Sequence, residues 1–484
     1  MNLKMILYTL GNLLKVTAAL LVLPILVSLV YKEYNYILCF ATPLIEAFLL
    51  GWFLSFRKPK NTTIYATEGF VIVGLSWILI SLFGSMPFMI SKTIPRFIDA
   101  FFETVSGFTT TGSSILSDIE STFEGAHGVL FWRSFTHWVG GMGVLVFILA
   151  FMPNVGETFY IMKAESPGPQ VGKLVSKVKL TARILYFIYI GLTVLEIIVL
   201  WIGRMPLYDS IITSFGTAGT GGFGMKNDSI SGYNNFCQII IGVFMMLFGV
   251  NFNLFYLIVI GKIKQALKSE ELMWYLSIIM TSIVAITINL VLTTTESLGT
   301  IIRNSFFTVV SFITTTGFSN SAFETWPLFS QTILFLLMFV GACAGSTGGG
   351  IKVSRIAILV KSSKREIQNL IHPNAVSSVR FEGQKVEDSV VRSIKNFFVL
   401  YMFIFVACLL VLSLDKYDHV TNITAVASAI NNIGPGLGHI IGSSGNYGGF
   451  NTVSKLVLIF AMFVGRLEIY PIIILLNRRA WTNK

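Results

Sequence analysis

Charge is the first thing that this sequence has little of. Only 12% of its 484 residues are Asp, Glu, Lys or Arg, whereas 54% are hydrophobic. Soluble domains carry about 25% charged residues, so this chain holds about half the usual share. Apolar runs of about 20 residues recur along its whole length, and a helix of that length crosses a bilayer. This excludes a soluble domain, and we predict an all-α polytopic membrane protein.

Reactive and metal-binding motifs are also scarce. The four cysteines lie in or beside apolar segments and have no CxxC spacing, so neither a disulfide framework nor a cysteine metal site is expected. No HExxH pair or Ser–His dyad converges at membrane depth, as a membrane-embedded enzyme would require. We therefore predict that the protein is not an enzyme.

The charges that are present are mostly basic, and their distribution indicates topology. The net charge is +11, which could suit a nucleic acid. Lys and Arg instead collect in the alternate loops 57–67, 153–181, 261–271 and 352–395 and at both termini. This is the positive-inside bias, so we expect cytoplasmic termini, the lipid bilayer as surroundings and no nucleic-acid partner.

The ten predicted spans are 8–30, 37–56, 68–91, 127–152, 182–203, 234–260, 272–294, 328–360, 396–414 and 453–476.

A unit of about 100 residues occurs four times after two leading helices. Each copy consists of a spanning helix, a short apolar segment, a Gly/Thr-rich stretch and a second spanning helix. Aligning the serines of three copies brings Gly112, Gly317 and Gly434 together without a gap. In the second copy Gly219 is the predicted match and Gly221 the competing register. The four segments are "FIDAFFETVSGFTTTGSS" from Phe97, "LYDSIITSFGTAGTGGFG" from Leu207, "IRNSFFTVVSFITTTGFS" from Ile302 and "VTNITAVASAINNIGPGL" from Val420.

The short apolar segments cannot cross the membrane. A helix of about 10 to 12 residues is about 15–18 Å long, roughly half of the hydrocarbon thickness. It descends partway and returns as extended chain, which is tolerated only where it is buried in protein or lines a water-filled cavity. Four such hairpins predict a pseudo-fourfold arrangement around one axis.

The predicted divisions of the chain are two N-terminal transmembrane helices (1–67), pore repeats 1 (68–152) and 2 (153–260), repeat 3 with an intramembrane Gly loop (261–360), and a basic cytoplasmic loop with repeat 4 (361–484).

The Gly/Thr-rich stretches would present backbone oxygens to that axis. Rings of backbone carbonyls replace the hydration shell of potassium in ion channels. Glycine permits the backbone angles that this requires, and each preceding helix directs its negative end towards the axis. Tight packing by small residues is the alternative explanation, but the fourfold recurrence favours a filter. The predicted filter residues are Thr110, Thr111, Gly112, Ala218, Gly219, Thr315, Thr316, Gly317, Asn432, Ile433 and Gly434.

One stretch also matches a nucleotide-binding pattern. "TSFGTAGTGGFG", residues 213–224, contains the spacing GxGxxG. That loop requires a preceding strand and an acidic residue about 20 positions later, within a βαβ unit. Here a membrane half-helix precedes it, and residues 239–244 read "IIIGVF". We therefore predict that no nucleotide binds there.

Several motifs resemble those of the Trk/Ktr/HKT superfamily of potassium transporters, most closely its TrkH-type branch, over essentially the whole chain. The resemblance implies a gated pore for potassium uptake, with K⁺ as the transported ligand at the filter and no cofactor in this chain. It also implies a homodimer in the bacterial inner membrane, docked on a cytoplasmic nucleotide-binding ring of the TrkA type. The motifs are "TTTGSS" (109–114), "GTAGTGGFG" (216–224), "TTTGFSN" (314–320), "NNIGPGLG" (431–438), "GACAGSTGGGIKVSR" (341–355) and "GRLEIYP" (465–471).

The same resemblance bears on selectivity and on coupling. Plant members that transport sodium have a serine where this chain has Gly112, so potassium is favoured. The fourth copy departs from the threonine pattern with Asn431, Asn432 and Ile433, so a fully four-fold symmetric filter is not expected. Potassium symport coupled to H⁺ or Na⁺ is the alternative function. The absence of a clear chain of mid-membrane acids argues mildly against proton coupling.

A glycine cluster interrupts the span that begins near Leu328. "GACAGSTGGG", residues 341–350, should break a helix at mid-membrane, and the resemblance implies a gating loop under the filter. Arg466 lies near the middle of the last span, where a charged side chain normally faces the interior and finds a partner. Carbonyls of the broken helix are suitable acceptors, so we predict that Arg466 holds the gate closed, with Glu468 as the weaker partner candidate. The predicted gate residues are Gly345, Gly348, Gly349, Gly350 and Arg466.

Overall fold

Helices make up almost all of the regular structure in this computed structural model, which describes residues 1–143, 178–374 and 377–481. The strands of this described part form one short antiparallel hairpin, in which β1 (Arg380–Phe381) pairs with β2 (Gln384–Lys385). Six of the described helices are long and apolar enough to cross a membrane, and a bent pair makes a seventh. The all-α polytopic fold class is confirmed.

The two leading transmembrane segments pack on each other at glycine. The first segment contains α1 (Leu3–Leu20) and α2 (Val22–Val30), and the second is α3 (Ile37–Ser55), which follows a 3₁₀ turn at Tyr34–Tyr36. A Cβ on Gly11 would stand 2.8 Å from the carbonyl oxygen of Gly51, so α1 and α3 touch through their backbones.

Four helical units follow these two segments. Each begins with a long helix that is followed by a short one, which we call a pore helix; the four pore helices are α5 (Phe97–Phe108), α9 (Leu207–Ala218), α14 (Leu298–Ile313) and α18 (His419–Asn431). The first unit contains α4 (Ala66–Ile90), α5 (Phe97–Phe108), α6 (Ile119–Thr122) and α7 (His127–Gly141), and the second α8 (Val178–Ile202), α9 (Leu207–Ala218), α10 (Asn235–Phe248), α11 (Phe252–Val259) and α12 (Ile263–Leu267). The third contains α13 (Glu270–Thr293), α14 (Leu298–Ile313), a 3₁₀ turn (Phe323–Thr325), α15 (Leu328–Phe339) and α16 (Val353–Ile371), and the fourth α17 (Asp388–Leu412), α18 (His419–Asn431), α19 (Thr452–Arg466), α20 (Tyr470–Leu476) and α21 (Arg478–Trp481).

The pore helices have 12, 12, 16 and 13 residues. At about 1.5 Å per residue they are about 18 to 24 Å long and end inside the hydrocarbon layer. Their starts are marked by capping side chains in the third and fourth units. Ser297 accepts a hydrogen bond from the N–H of Thr300, and Asp418 accepts one from that of Thr421.

Two predicted spans are wrong as single straight crossings. The span 234–260 bends by 93° between α10 and α11, where Asn251 starts a new helix by accepting a hydrogen bond from the N–H of Asn253. The span 453–476 is broken between α19 and α20, where Glu468 and Ile469 have left-handed backbone angles. The span 328–360 is also broken, at its glycine cluster between α15 and α16, and this break was predicted. The predicted boundary at residue 152 lies outside the described residues.

Candidate ion pathway

All four pore helices end in the same backbone motif. In the first copy Thr110 is left-handed, its N–H donates to the Gly107 carbonyl at 3.0 Å, and the N–H of Thr111 donates to the Ser106 carbonyl at 2.8 Å. This is the Schellman cap, which usually has glycine at the left-handed position. The N–H groups of the stretch are turned back to the helix, which leaves its carbonyl oxygens for another ligand. The equivalent left-handed residues are Thr110 (φ 54°), Thr220 (φ 53°), Thr315 (φ 60°) and Asn432 (φ 56°).

A second left-handed residue follows two positions later, and it corrects the predicted register of the second copy. Gly112 has φ 78°, and its counterpart is Gly222 with φ 75°. Neither Gly219 nor Gly221 occupies that position, and Ala218 is the last residue of α9. The counterparts in the third and fourth copies are Gly317 (φ 79°) and Gly434 (φ 105°), as predicted.

Gly219 and Gly221 are small for a different reason. A Cβ on Gly219 would overlap the carbonyl oxygen of His137, and one on Gly221 would overlap the imidazole ring of the same residue. Both glycines therefore allow α7 to pack against the second stretch. This is the small-residue packing that was the alternative to a filter, and glycine spacing alone did not separate the two roles.

The four stretches form a closed ring. Each left-handed glycine lies against the carbonyl of the residue that precedes the equivalent glycine in the next copy. A Cβ added to Gly434 would stand 2.9 Å from the Thr111 carbonyl oxygen. A Cβ added to any of the other three glycines would stand even closer to the facing carbonyl oxygen. Because the fourth copy contacts the first, the stretches surround one axis. The contacts are Gly112 with Gly221, Gly222 with Thr316, Gly317 with Ile433, and Gly434 with Thr111.

The fourth copy differs from the others in its hydrogen bonds. The Gly434 carbonyl accepts hydroxyl hydrogen bonds from Ser428 at 2.7 Å, Tyr447 at 2.8 Å and Ser113 at 3.2 Å. The other three left-handed glycine carbonyls accept none from the described residues. The ring is therefore closed but not four-fold symmetric.

A buried ion pair lies beside the ring. Arg133 Nε is 2.7 Å from Glu103 Oε1, and both residues are 1% exposed. Glu103 also accepts a hydrogen bond from the N–H of Ile115 at 2.9 Å, and Arg133 donates to the Gly224 carbonyl at 3.2 Å. The pair thus joins the chains that leave the first and second stretches. An open cavity lies next to them, and its wall includes Arg133 and all four left-handed glycines.

Residues 340–352 form a lobe between α15 and α16, which we call the intramembrane loop. Its two ends meet, because the N–H of Gly341 donates to the Ile351 carbonyl at 2.8 Å. The loop also contacts the pore helices, because the N–H of Gly349 donates to Thr315 Oγ1 at 2.7 Å. The loop therefore lies directly against the inner end of the ring.

The four predicted gate glycines have two different structural roles in the intramembrane loop. A Cβ on Gly348 would stand 3.0 Å from a carbonyl oxygen at the end of α14, and one on Gly349 would stand 2.5 Å from the Asn431 carbonyl oxygen at the end of α18. Gly345 and Gly350 are left-handed, with φ 70° and 67°. The first two glycines allow close contact with the pore helices, and the other two turn the chain.

Arg466 is the last residue of α19, and its guanidinium reaches the intramembrane loop. Nη1 donates to the Thr347 carbonyl at 2.9 Å, and Nη2 donates to the carbonyls of Gly140 and Gly141, at 2.7 Å to the latter. One side chain thus joins the intramembrane loop, α19 and the end of α7. Glu468, the weaker partner candidate for Arg466, forms a buried ion pair with Arg355 in the first turn of α16.

Two cations at the intramembrane loop were missed by the sequence analysis. Lys352 is 9% exposed, and its ammonium donates to two loop carbonyls, at 3.3 Å to that of Gly349. Arg355 is 6% exposed and pairs with Glu468. Both residues directly follow the glycine cluster, where we interpreted them only as positive charge of a cytoplasmic loop. Their position directly after a predicted helix break was the sequence signal that could have identified them.

A buried acid inside α8 was also missed. Glu196 is 0% exposed and lies near the Thr217 hydroxyl of the second pore helix. By distance and angle, neither of its carboxylate oxygens has a hydrogen-bond partner among the described residues. An ionisable residue at such a depth is a candidate functional site.

Known proteins resemble this chain over nearly its whole length. The family model TrkH, described as a cation transport protein, matches residues 39–480. The chain is 33% identical over 480 residues to the Trk system potassium uptake protein TrkH of Salmonella typhimurium, covering 97% of this chain and 98% of that protein. It is 35% identical over 467 residues to TrkG of Escherichia coli K12, covering 95% of each. The crystal structure of the potassium transporter TrkH from Vibrio parahaemolyticus matches with a TM-score of 0.89 and 31% identity, covering 100% of both chains.

The buried pair of Glu103 and Arg133 predicts a stability effect. Replacing Glu103 by Gln leaves the buried guanidinium of Arg133 without its carboxylate, and loss of one partner of a buried pair costs about 3–5 kcal/mol. We expect a clearly lower midpoint of thermal unfolding in detergent, followed by intrinsic fluorescence. The control is Glu366→Gln, which removes only exposed pairs with Arg365 and Lys395 and should cost about 0–1 kcal/mol. Equal shifts in the two variants would contradict the role given to Glu103.

Proposed function

This chain belongs to the TrkH family of cation transport proteins, and we propose that it is the pore-forming subunit of a potassium uptake system. Relatives at 33% and 35% identity are potassium uptake proteins, and the family is one of transporters and not of enzymes. The observation that carries the proposal is the closed ring of four left-handed glycines at the ends of four half-length helices. K⁺ is the cargo of this pore.

The ring has the chemistry of a cation filter. K⁺ gives up its water where protein oxygens replace it. In each stretch the N–H groups of the left-handed residue and of the residue after it already donate to the pore helix, and the backbone carbonyls of the stretch remain for the ion. The C-terminal, partially negative ends of four helices meet there. No acidic or basic residue lies within the four stretches, so backbone and hydroxyl oxygens would do the binding. The assigned residues are Thr110, Thr111, Gly112, Thr220, Gly221, Gly222, Thr315, Thr316, Gly317, Asn432, Ile433 and Gly434, with Thr220 to Gly222 replacing Ala218 and Gly219.

The intramembrane loop is the gate in this proposal, and Arg466 is its latch. The loop lies against the inner end of the ring through Gly349, where it would obstruct an ion that leaves the filter. Arg466 bonds to carbonyls of both the loop and α7. A charged group at this depth is stabilised by such acceptors, so the same bonds that satisfy the guanidinium keep the loop in place.

The proposed setting follows from charge distribution and from the family. The positive-inside bias supports cytoplasmic termini in the bacterial inner membrane. We propose a homodimer that docks on a cytoplasmic nucleotide-binding ring of the TrkA type. The exposed basic residues of segment 352–395, together with its β-hairpin at Arg380–Lys385, form the surface of this chain that suits such a partner.

One observation favours the alternative function, symport of potassium with H⁺. Glu196 is a fully buried acid beside the second pore helix, and a buried carboxyl group can take up and release a proton during transport. It is a single residue and not a chain of acids across the membrane. The continuous pore therefore remains the leading proposal.

The corrected register predicts the effect of alanine at two nearby glycines. In Gly222→Ala the new Cβ would overlap the Thr316 carbonyl at a left-handed position, whereas in Gly224→Ala the nearest heavy atom would be 3.8 Å away. We expect Gly222→Ala to lose most K⁺ flux or its preference for K⁺ over Na⁺, and Gly224→Ala to keep both. The measurement is cation flux into proteoliposomes that hold this protein alone. Normal selectivity in Gly222→Ala would remove the support for the filter.

The proposed role of Arg466 predicts that its removal lets K⁺ leak through the pore. Arg466→Ala removes the guanidinium bonds to loop and α7 carbonyls, each worth about 1.5–3 kcal/mol for a charged donor. Loss of even one such bond changes the closed-to-open ratio about tenfold. We expect at least tenfold faster K⁺ flux in proteoliposomes without a partner protein. Arg478→Ala, at an exposed arginine near the C-terminus, is the control, and slower flux in Arg466→Ala than in this control would contradict the latch.

The two functions differ in what drives the flux. A continuous pore conducts K⁺ down its own gradient without any H⁺ or Na⁺ gradient, and Glu196→Gln should then conduct like the wild type. Proteoliposomes with a K⁺ gradient at equal internal and external pH measure this directly. Flux that appears only with an imposed pH gradient, and that Glu196→Gln abolishes, would establish the symporter instead.

A further inference from the structure

A cavity between α16 and α17 lies outside the ion pathway. Its volume is about 460 Å³, within the range of about 300–1,000 Å³ that is usual for small-ligand pockets. The last two turns of α16 and the first two turns of α17 contribute its charged walls. A cavity with several charges, in a chain that has few of them, suits a charged ligand. The charged residues that line it are Arg365, Glu366, Asp388, Arg392 and Lys395.

The two carboxylates of this cavity are already engaged by its first arginine. Arg365 Nη1 is 2.7 Å from Asp388 Oδ1, and Nη2 is 3.4 Å from Glu366 Oε1. Lys395 Nζ is 3.7 Å from the same Glu366 oxygen, which is too far for a good hydrogen bond. Arg392 is exposed and forms neither a salt bridge nor a side-chain hydrogen bond with the described residues. Three cations and two carboxylates leave one positive charge unmatched, so an anion with a single charge fits the cavity.

The cavity lies at the depth of the lipid headgroups. Residues 397–412 of α17 carry no charge, so the apolar crossing begins at Phe397. At about 1.5 Å per residue, Lys395 lies about 3 Å before this run and Arg392 about 7.5 Å before it. The headgroup layer on each side of the hydrocarbon is about 5–7.5 Å thick. Both cations therefore lie where lipid phosphates lie, and basic groups next to a transmembrane helix attract anionic lipids.

The face of α17 that lines the cavity continues into the hydrocarbon layer. Residues at intervals of three or four lie on one face of a helix, and this row begins with Asp388, Arg392 and Lys395. Beyond Lys395 the members of the row are apolar and exposed. A ligand with a charged head and apolar chains would contact both parts of the row at once. The apolar members are Val399, Phe403, Val406 and Leu410.

We propose that this cavity binds the phosphodiester headgroup of an anionic membrane phospholipid. Arg392 and Lys395 donate to the phosphate oxygens, and the acyl chains lie along the exposed apolar row of α17. A phosphodiester carries one negative charge, which is the charge that the cavity leaves unmatched. Guanidinium and ammonium groups are the usual donors to phosphate. The inference requires only that α17 crosses the membrane, and it is independent of the potassium filter.

A basic surface also suits an acidic protein partner. A soluble protein cannot reach the apolar row below the cavity, because that row lies within the hydrocarbon layer. A phospholipid contacts the cations and the apolar row together, and for this reason we favour a lipid as the ligand.

The first test is the stabilisation of the delipidated chain by added lipid in detergent. A ligand that binds only the folded protein raises the thermal unfolding midpoint as its concentration rises. The midpoint, followed by intrinsic fluorescence, is titrated with dioleoylphosphatidylglycerol and separately with dioleoylphosphatidylethanolamine, whose headgroup has no net charge. We expect phosphatidylglycerol to reach its half-maximal effect at a mole fraction at least fivefold lower than phosphatidylethanolamine.

Substitution of Arg392 tests the site itself. Arg392→Gln should raise the phosphatidylglycerol mole fraction for the half-maximal effect about tenfold, as loss of one charged hydrogen bond does. Arg392→Lys keeps the charge and should lose less. The matched control is Arg380→Gln, which removes an exposed arginine outside the cavity and should respond to the lipid as the wild type does. Because Arg392 is exposed, its variants should unfold at the wild-type midpoint when no lipid is added.

Soluble phosphates distinguish the source of the ligand, since inorganic phosphate and glycerol 3-phosphate carry the oxyanion without acyl chains. If either of them stabilises the chain as phosphatidylglycerol does, the ligand is a free phosphate and the lipid assignment is wrong. A wild-type lipid response in Arg392→Gln, or an equal loss in Arg380→Gln, would overturn the site. If Arg392→Gln weakens only the binding of a TrkA-type ring, the cavity serves a protein partner instead. None of these results depends on the filter, which Gly222→Ala tests separately.

Discussion

The contact on which this structure depends is the approach of four backbones to one axis. Each left-handed glycine leaves room for a carbonyl of the next copy, and a single Cβ at Gly112, Gly222 or Gly317 would overlap that carbonyl. The contact requires four chain segments to end at the same depth inside the membrane. Half-length pore helices achieve this, because each carries the chain only to the middle of the hydrocarbon layer. The Schellman caps then satisfy the N–H groups that would otherwise be exposed there.

The inner side of the ring depends on a different balance. An irregular loop within the membrane has carbonyls without helical partners, and buried cations need acceptors. The intramembrane loop and the cations around it satisfy each other: Arg466 bonds to the Thr347 carbonyl and Lys352 to that of Gly349. A loop rich in glycine is flexible by composition. It is held in one arrangement by Arg466, which lies outside the loop, and by Lys352 at the end of the loop, and this suits the gate proposed for it.

Length and composition were sufficient to predict the membrane class, the four pore helices and the helix break after α15. Three features were not predicted. The second copy has four glycines between residues 219 and 224, and only contact with His137 separates those that pack on α7 from Gly222. The 93° bend between α10 and α11 lies in an apolar run whose composition predicts a single straight span. Glu468 was considered only as a partner for Arg466, although the chain brings Arg355 to it.

The sequence by itself determined which segments are apolar and long enough to cross a membrane, which are too short to cross, and how many times the unit recurs. These are properties of single segments, because the length of an apolar run is compared with a bilayer of known thickness. Tertiary structure alone decided which glycine meets which carbonyl, and which backbone oxygens the buried cations bind. Those contacts join residues that are far apart in the chain, as Arg466 and Gly141 are. Residues of one type in one stretch, such as Gly219 and Gly222, differ only in the neighbour that the fold places beside them.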